Sequence, residues 1–123
     1  MTVSPQVSVL QRIQAEGALT IACPSRTVLD HVTSKWGVLL LVFLSDKSMR
    51  WGELRTAVEG ISEKMLAQNL RTLEADGLVH REVTASVPPR VDYSLTPLGR
   101  DLVDRLLPLM EWIVDNADDI VGS

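Results

Sequence analysis

Apolar residues recur at helical spacing along most of this chain, and two short runs are rich in β-forming residues instead. Val28, Leu29 and Val32 give one helical face, and Leu66, Leu70 and Leu73 give a second. Leu98, Leu102, Leu106, Leu109 and Ile113 form a third stripe, widened by Val103, Leu107, Met110 and Val114. Residues 35–44 are hydrophobic nearly all round, which predicts a helix at the centre of the core. Residues 7–13 suggest a further short helix, and residues 19–22 an extended arm.

Terminating residues sharpen these boundaries. Pro24 fits the first turn of a helix running to about Val32, since its missing N–H would be unpaired there anyway. Ser62 can cap a helix by accepting a bond from an orphan backbone N–H, and Gly77 suits the left-handed position just past its end. A long helix should run from Thr96 towards Asp119, with Pro108 kinking or splitting it. Residues 78–84 and 91–95 read as the strands of a hairpin with a Pro-Pro-Arg corner. Met49, Arg50 and Trp51 suggest a short strand beside it.

The central order is therefore a helix over residues 51–58, a turn at 59–62, a helix to about Asp76, then a hairpin. This order predicts a winged helix-turn-helix, mainly α with a small β-hairpin wing, whose second helix is shaped for a DNA major groove. Lys64, Gln68 and Arg71 repeat at the spacing of the leucine stripe but are displaced by two residues, which puts them on the opposite face. An ordinary solvated face would look the same. The preceding turn and following hairpin favour a DNA-reading face, with Arg suited to guanine, Gln to adenine and Lys to phosphate.

Composition fits one globular domain: 123 residues, 46% hydrophobic and 23% charged. No apolar run is long enough to span a bilayer, and the N-terminus lacks the features of a signal peptide. A single cysteine gives no disulfide framework, so a cytoplasmic setting is expected. The net charge of −4 argues against nucleic acid, whose binding rests on neutralising phosphates. Its distribution weakens that argument without removing it. Residues 1–49 carry +1, residues 50–90 carry 0 and residues 91–123 carry −5, so the acid lies away from the proposed DNA face.

Several segments together resemble the HxlR-type transcriptional regulators. They are Cys23-Pro24, Lys35-Trp36, Trp51-Gly52-Glu53-Leu54-Arg55, Gly60-Ile61-Ser62-Glu63-Lys64-Met65-Leu66, Leu70-Arg71-Thr72-Leu73-Glu74-Ala75-Asp76-Gly77-Leu78-Val79 and Val87-Pro88-Pro89-Arg90-Val91-Asp92-Tyr93-Ser94-Leu95-Thr96-Pro97-Leu98-Gly99. The resemblance covers residues 23 to about 112. It implies a dimeric bacterial or archaeal winged helix that binds operator DNA. Two departures stand out: Thr33-Ser34 replaces the family's usual glycines, and Thr84-Ala85-Ser86 makes a wing tip without aromatic or basic residues.

The expected organisation is an N-terminal arm over residues 1–22, a DNA-binding domain over 23–95 and a dimerisation helix over 96–123. Lys64, Gln68 and Arg71 would enter the groove. Ser62 at the helix start and the cations Arg50 and Arg90 would meet phosphates, with an ion pair to Asp92 as the alternative for Arg90. Leu102, Leu106, Leu109 and Ile113 would form the dimer interface, a helix folded onto its own core being the alternative.

Cys23 is the one reactive candidate, because a helix start favours a thiolate and Arg26 is near in sequence. The resemblance implies sensing of oxidants or electrophiles there; a buried cysteine acting as a small hydrophobe is the plain alternative. His31 and His80 belong to no cluster at metal-ligand spacing, and no phosphate loop or dinucleotide motif occurs. No cofactor, metal site or enzymatic activity is expected. The expected partners are double-stranded operator DNA, a second copy of the chain and a small-molecule or electrophile inducer. The rival readings are a small-molecule-responsive regulator with an inert Cys23, and a winged-helix protein-interaction module that binds no DNA.

Overall fold

The structure, a computed structural model, describes residues 5–122, with side chains from Ser8 onward. Residues 1–4 of the expected arm, and Ser123, lie outside the described residues. The chain divides into two compact units, residues 1–34 and 35–123.

The first unit holds α1 (Pro5–Glu16) and α2 (Pro24–Val32). Arg12 and Glu16 pair across one turn of α1 at 3.3 Å, an exposed contact worth only about 0.3–0.5 kcal/mol. The extended arm expected at residues 19–22 is instead a chain of turns. The Thr20 hydroxyl donates to the Gly17 carbonyl at 3.0 Å, and the Cys23 N–H donates to the Thr20 carbonyl at 2.9 Å. Leu19 takes a left-handed φ of 64°, rare for a residue with a Cβ, and its N–H donates to the Ser25 hydroxyl at 2.9 Å. An extended arm needs a partner strand for its backbone groups, whereas these turns satisfy them locally.

The second unit is built on α3 (Lys35–Phe43), the hydrophobic helix. It packs against α4 (Trp51–Ala57), α5 (Glu63–Ala75) and α6 (Pro97–Val121). Leu40, Leu41 and Leu44 meet Leu54, Val58, Leu66, Leu70, Leu73 and Val103 in a core that excludes water almost completely. No polar side chain is buried among the described residues, and no buried side-chain polar atom lacks a partner. Such a core is held by apolar burial, about 25 cal/mol per Å² removed from water.

Three antiparallel strands complete the unit: β1 (Met49–Arg50), β2 (Val79–Thr84) and β3 (Arg90–Leu95), in the order β1-β3-β2. The strand expected from Met49 is only two residues long, because Trp51 already begins α4. Met49 pairs with Tyr93, and Tyr93 pairs with Arg81. One row of side chains therefore crosses the sheet from β1 to β2 on a single face.

α6 is not split by Pro108; the helix runs unbroken through it. Pro108 and Asp104, whose carbonyl loses its intrahelical donor, are both exposed, so solvent can replace the missing bond. Thr96 caps this helix, accepting from the Gly99 N–H at 3.0 Å while donating to the Gly77 carbonyl at 2.6 Å. The end of α5 and the start of α6 are thus tied to one hydroxyl.

Candidate nucleic-acid interface

α4, its turn and α5 form the helix-turn-helix. Gly60 takes a φ of 89°, which a residue with a Cβ would adopt only under strain, and this turns the chain between the helices. Ile61 is buried beneath the turn. The Ser62 hydroxyl accepts from the Met65 N–H at 3.1 Å and fixes the start of α5. An Arg55–Glu63 ion pair of 2.8 Å joins the two helices.

On α5 the binary pattern becomes an orientation. Leu66, Leu70 and Leu73 are buried, while Lys64, Gln68 and Arg71 are exposed. Lys64 and Arg71 are exposed and make no ion pair among the described residues. Helix register alone puts cationic and amide donors along one side of the helix.

The remaining basic candidates gather beside the wing. Arg50 and Arg90 line one groove of about 660 Å³ between the start of α4 and the hairpin tip. The Arg50 backbone N–H donates to the Glu53 carboxylate at 2.9 Å, capping α4, while its guanidinium is unpaired among the described residues. Arg90 is engaged differently. Its Nε donates to Asp92 at 2.9 Å and a terminal nitrogen donates to the other carboxylate oxygen at 3.4 Å. Half of the Arg90 side chain stays exposed within this pair.

A second cleft, about 370 Å³, opens between α5 and the sheet and is lined by Arg71, Glu74, Arg81, Trp51 and Tyr93 among others. Arg81 is absent from the candidates that the sequence suggests. Its signal is present all the same: Arg81 shares a strand face with Val79 and Val83, and a cation on an otherwise apolar face needs a reason.

Cys23 lies at the N-cap of α2, half-buried, and its sulfur is 3.0 Å from the Ser25 hydroxyl. Hydrogen bonds from the Ser25 hydroxyl first, then the Ser25 backbone, hold the thiol pKa below its ordinary value; desolvation opposes them, and the Leu19 and Arg26 backbones add smaller pulls in the same direction. The Arg26 contribution comes from its backbone, because its guanidinium pairs with Asp30 at 3.5 Å and donates to the Leu19 carbonyl at 3.4 Å.

The long terminal helix divides along its length. Val103 and Leu106 are buried in the unit's own core, Leu106 at 8% exposure, and Leu102 is half-buried. Leu109 and Ile113 are 50% and 43% exposed, and Trp112 between them is 56% exposed. Leu98 in the first turn is also 59% exposed, but the continuous exposed apolar surface lies beyond Leu106 and includes a tryptophan that the leucine stripe does not reveal.

Among the described residues, no group of three or more His, Cys, Asp or Glu could hold a metal ion. No helix among them is long and apolar enough to cross a membrane.

Comparison with known proteins agrees with this geometry. Residues 31–120 match the model of the HxlR-like helix-turn-helix family. The HTH-type transcriptional regulator YtfH of Escherichia coli K12 is 46% identical over 117 residues, which cover 95% of this chain and 93% of the relative. The structure of the transcriptional regulator YtfH from Salmonella typhimurium superposes with a TM-score of 0.79 at 50% identity, covering 84% of this chain and 92% of that one. The redox regulator HypR in its oxidised form superposes with a TM-score of 0.71 at 44% identity, covering 76% and 97%.

Proposed function

This chain belongs to the HxlR-like helix-turn-helix family of DNA-binding transcriptional regulators, and on that premise we propose that it acts as a homodimer on a pseudo-palindromic operator. The observation that carries this reading is the α5 surface, where Lys64, Gln68 and Arg71 stand exposed over a buried leucine stripe. In a dimer, two such helices enter successive major grooves, about 34–36 Å apart. Gln68 and Arg71 read base edges. Lys64 and Arg50, together with the helix start at Ser62, hold phosphates. Arg90, steadied by Asp92, reaches the backbone from the wing.

The exposed apolar half of α6 supports the dimer. Leu109, Trp112 and Ile113 form a patch that a second α6 of the same kind would cover. Residues 96–123 thus serve as the dimerisation helix and residues 23–95 as the DNA-binding part.

Control runs through Cys23. Its sulfur carries hydrogen bonds that favour the thiolate, the reactive form towards oxidants and electrophiles. The structural likeness to a redox regulator points the same way. Modification at the start of α2 changes operator affinity.

Selection of bound DNA from random sequence, in reducing and in oxidising buffer, tests all three elements. The expected product is a palindromic motif in reducing buffer whose recovery changes on oxidation and does not change in Cys23→Ser. Absence of any enriched motif would overturn the operator reading. An asymmetric single half-site would overturn the dimer.

A further inference from the structure

We propose that Arg81, on β2, is a DNA-backbone contact, and that the cleft it shares with Arg71 and Tyr93 seats one phosphate of the duplex. This rests on the DNA-binding reading and extends it to a residue outside the helix-turn-helix and to the cleft between that motif and the sheet.

The cleft is rich in hydrogen-bond donors that lack partners. The guanidiniums of Arg71 and Arg81 make no ion pair or hydrogen bond among the described residues, whereas Arg55 and Arg90 are both held by carboxylates. Tyr93 is only 7% exposed, yet its hydroxyl has no hydrogen bond among the described residues. No side-chain polar atom among those residues is both buried and orphaned, so this hydroxyl remains open to solvent. The Trp51 indole N–H, at the same cleft, is likewise unbonded among the described residues. Glu74 is the one carboxylate in the lining. Two guanidiniums and one carboxylate leave a net positive charge; the Arg81 fork matches the paired oxygens of a phosphate, while Arg71 on α5 adds its charge to the cleft and keeps its donors for a base edge.

Position supplies further support. Arg81 pairs with Tyr93 across the sheet, and Tyr93 pairs with Met49, so the row lies on the sheet face that meets α5. Arg71 reaches the same cleft from the exposed side of α5. A duplex whose groove holds the Lys64–Gln68–Arg71 face runs its backbone along the gap between α5 and the wing, where this cleft opens. The contact carries no sequence information and strengthens all duplexes alike.

The experiment uses the full chain and a labelled mixed-sequence duplex of about 30 base pairs, titrated at about 50–200 mM NaCl. Wild type, Arg81→Gln, Arg81→Lys, Tyr93→Phe and Glu74→Gln are compared, with thermal unfolding as the check on folding. Arg81→Gln should lower the slope of log affinity against log salt by about 0.9, the share of one neutralised phosphate. Arg81→Lys should keep the slope and weaken affinity, Tyr93→Phe should weaken binding at every salt concentration, and Glu74→Gln should tighten it. A purely structural role would move the unfolding midpoint and leave the slope unchanged. Wild-type slope and affinity in folded Arg81→Gln overturn the proposal while the DNA-binding reading stands. Failure of wild type itself to bind duplex in a salt-dependent way overturns that reading instead. Inorganic phosphate is the last arm. If it raises the midpoint of wild type but not of Arg81→Gln, and the slope is unchanged, the cleft is a small-anion site and the backbone proposal is wrong.

Discussion

The α-carbon of Gly99 lies against the backbone carbonyl of Leu78, so closely that a Cβ built there would overlap the oxygen and stand 3.0 Å from the carbonyl carbon. That same oxygen accepts the Thr96 N–H at 3.1 Å. The chain entering the wing and the helix leaving it are locked together at this point, which sets where α6 departs from the sheet.

Gly99→Ala should therefore destabilise the protein although alanine is the better helix former. The neighbour is backbone and cannot rotate away, so the cost should reach at least the usual overpacking range of about 1–3 kcal/mol. Each kcal/mol corresponds to a fall in midpoint of about 4–8 °C for a domain near this size. Thermal unfolding of the variant at or above the wild-type midpoint would show that the approach can relax.

Arg71→Ala and Lys64→Ala should weaken DNA binding without lowering the unfolding midpoint, because both side chains are exposed and face away from the leucine stripe. A base-reading Arg71 should cost about 1–3 kcal/mol and relax preference at one position, while Lys64 should weaken all sequences similarly. Titration against the selected operator and against a scrambled duplex separates the two. Unaltered affinity in both variants would remove this face from the interface.

The two halves of α6 should respond differently to substitution. Leu106→Ala opens a cavity in the core and should cost about 2–5 kcal/mol of folding stability. Leu109→Glu or Ile113→Glu places a charge on a surface that is exposed in the single chain, so the protomer should fold normally and sediment as a monomer. A fully dimeric Leu109→Glu, Ile113→Glu double variant would place the interface elsewhere.

Cys23 should alkylate faster near neutral pH than an ordinary thiol. Its folded pKa is depressed, so the thiolate fraction rises at lower pH than in the unfolded chain, and any stability linked to the ionised form is lost as pH falls through the folded value. Ser25→Ala removes the largest cause and should shift the midpoint of the rate–pH profile upward. A profile unchanged by Ser25→Ala would assign the depression to the helix start alone.

The sequence by itself determined the winged helix-turn-helix, because its signals are local. Leucines at helical spacing, the Ser62 cap, the proline at the start of α2 and the β-rich runs each act within a few residues, and the helices and hairpin lie where those signals put them. It also determined which side of α5 is wet, since helix register sets Lys64, Gln68 and Arg71 opposite the leucines. Tertiary structure alone decided the rest. Arg81 and Arg71 share a cleft only because β2 packs against α5. Leu106 and Leu109 belong to one apolar stripe, yet one is core and the other surface. The helix outruns the body it packs against, and where that body ends depends on the combined reach of α3, α5 and the sheet, a sum of distant contacts that no local window of sequence contains.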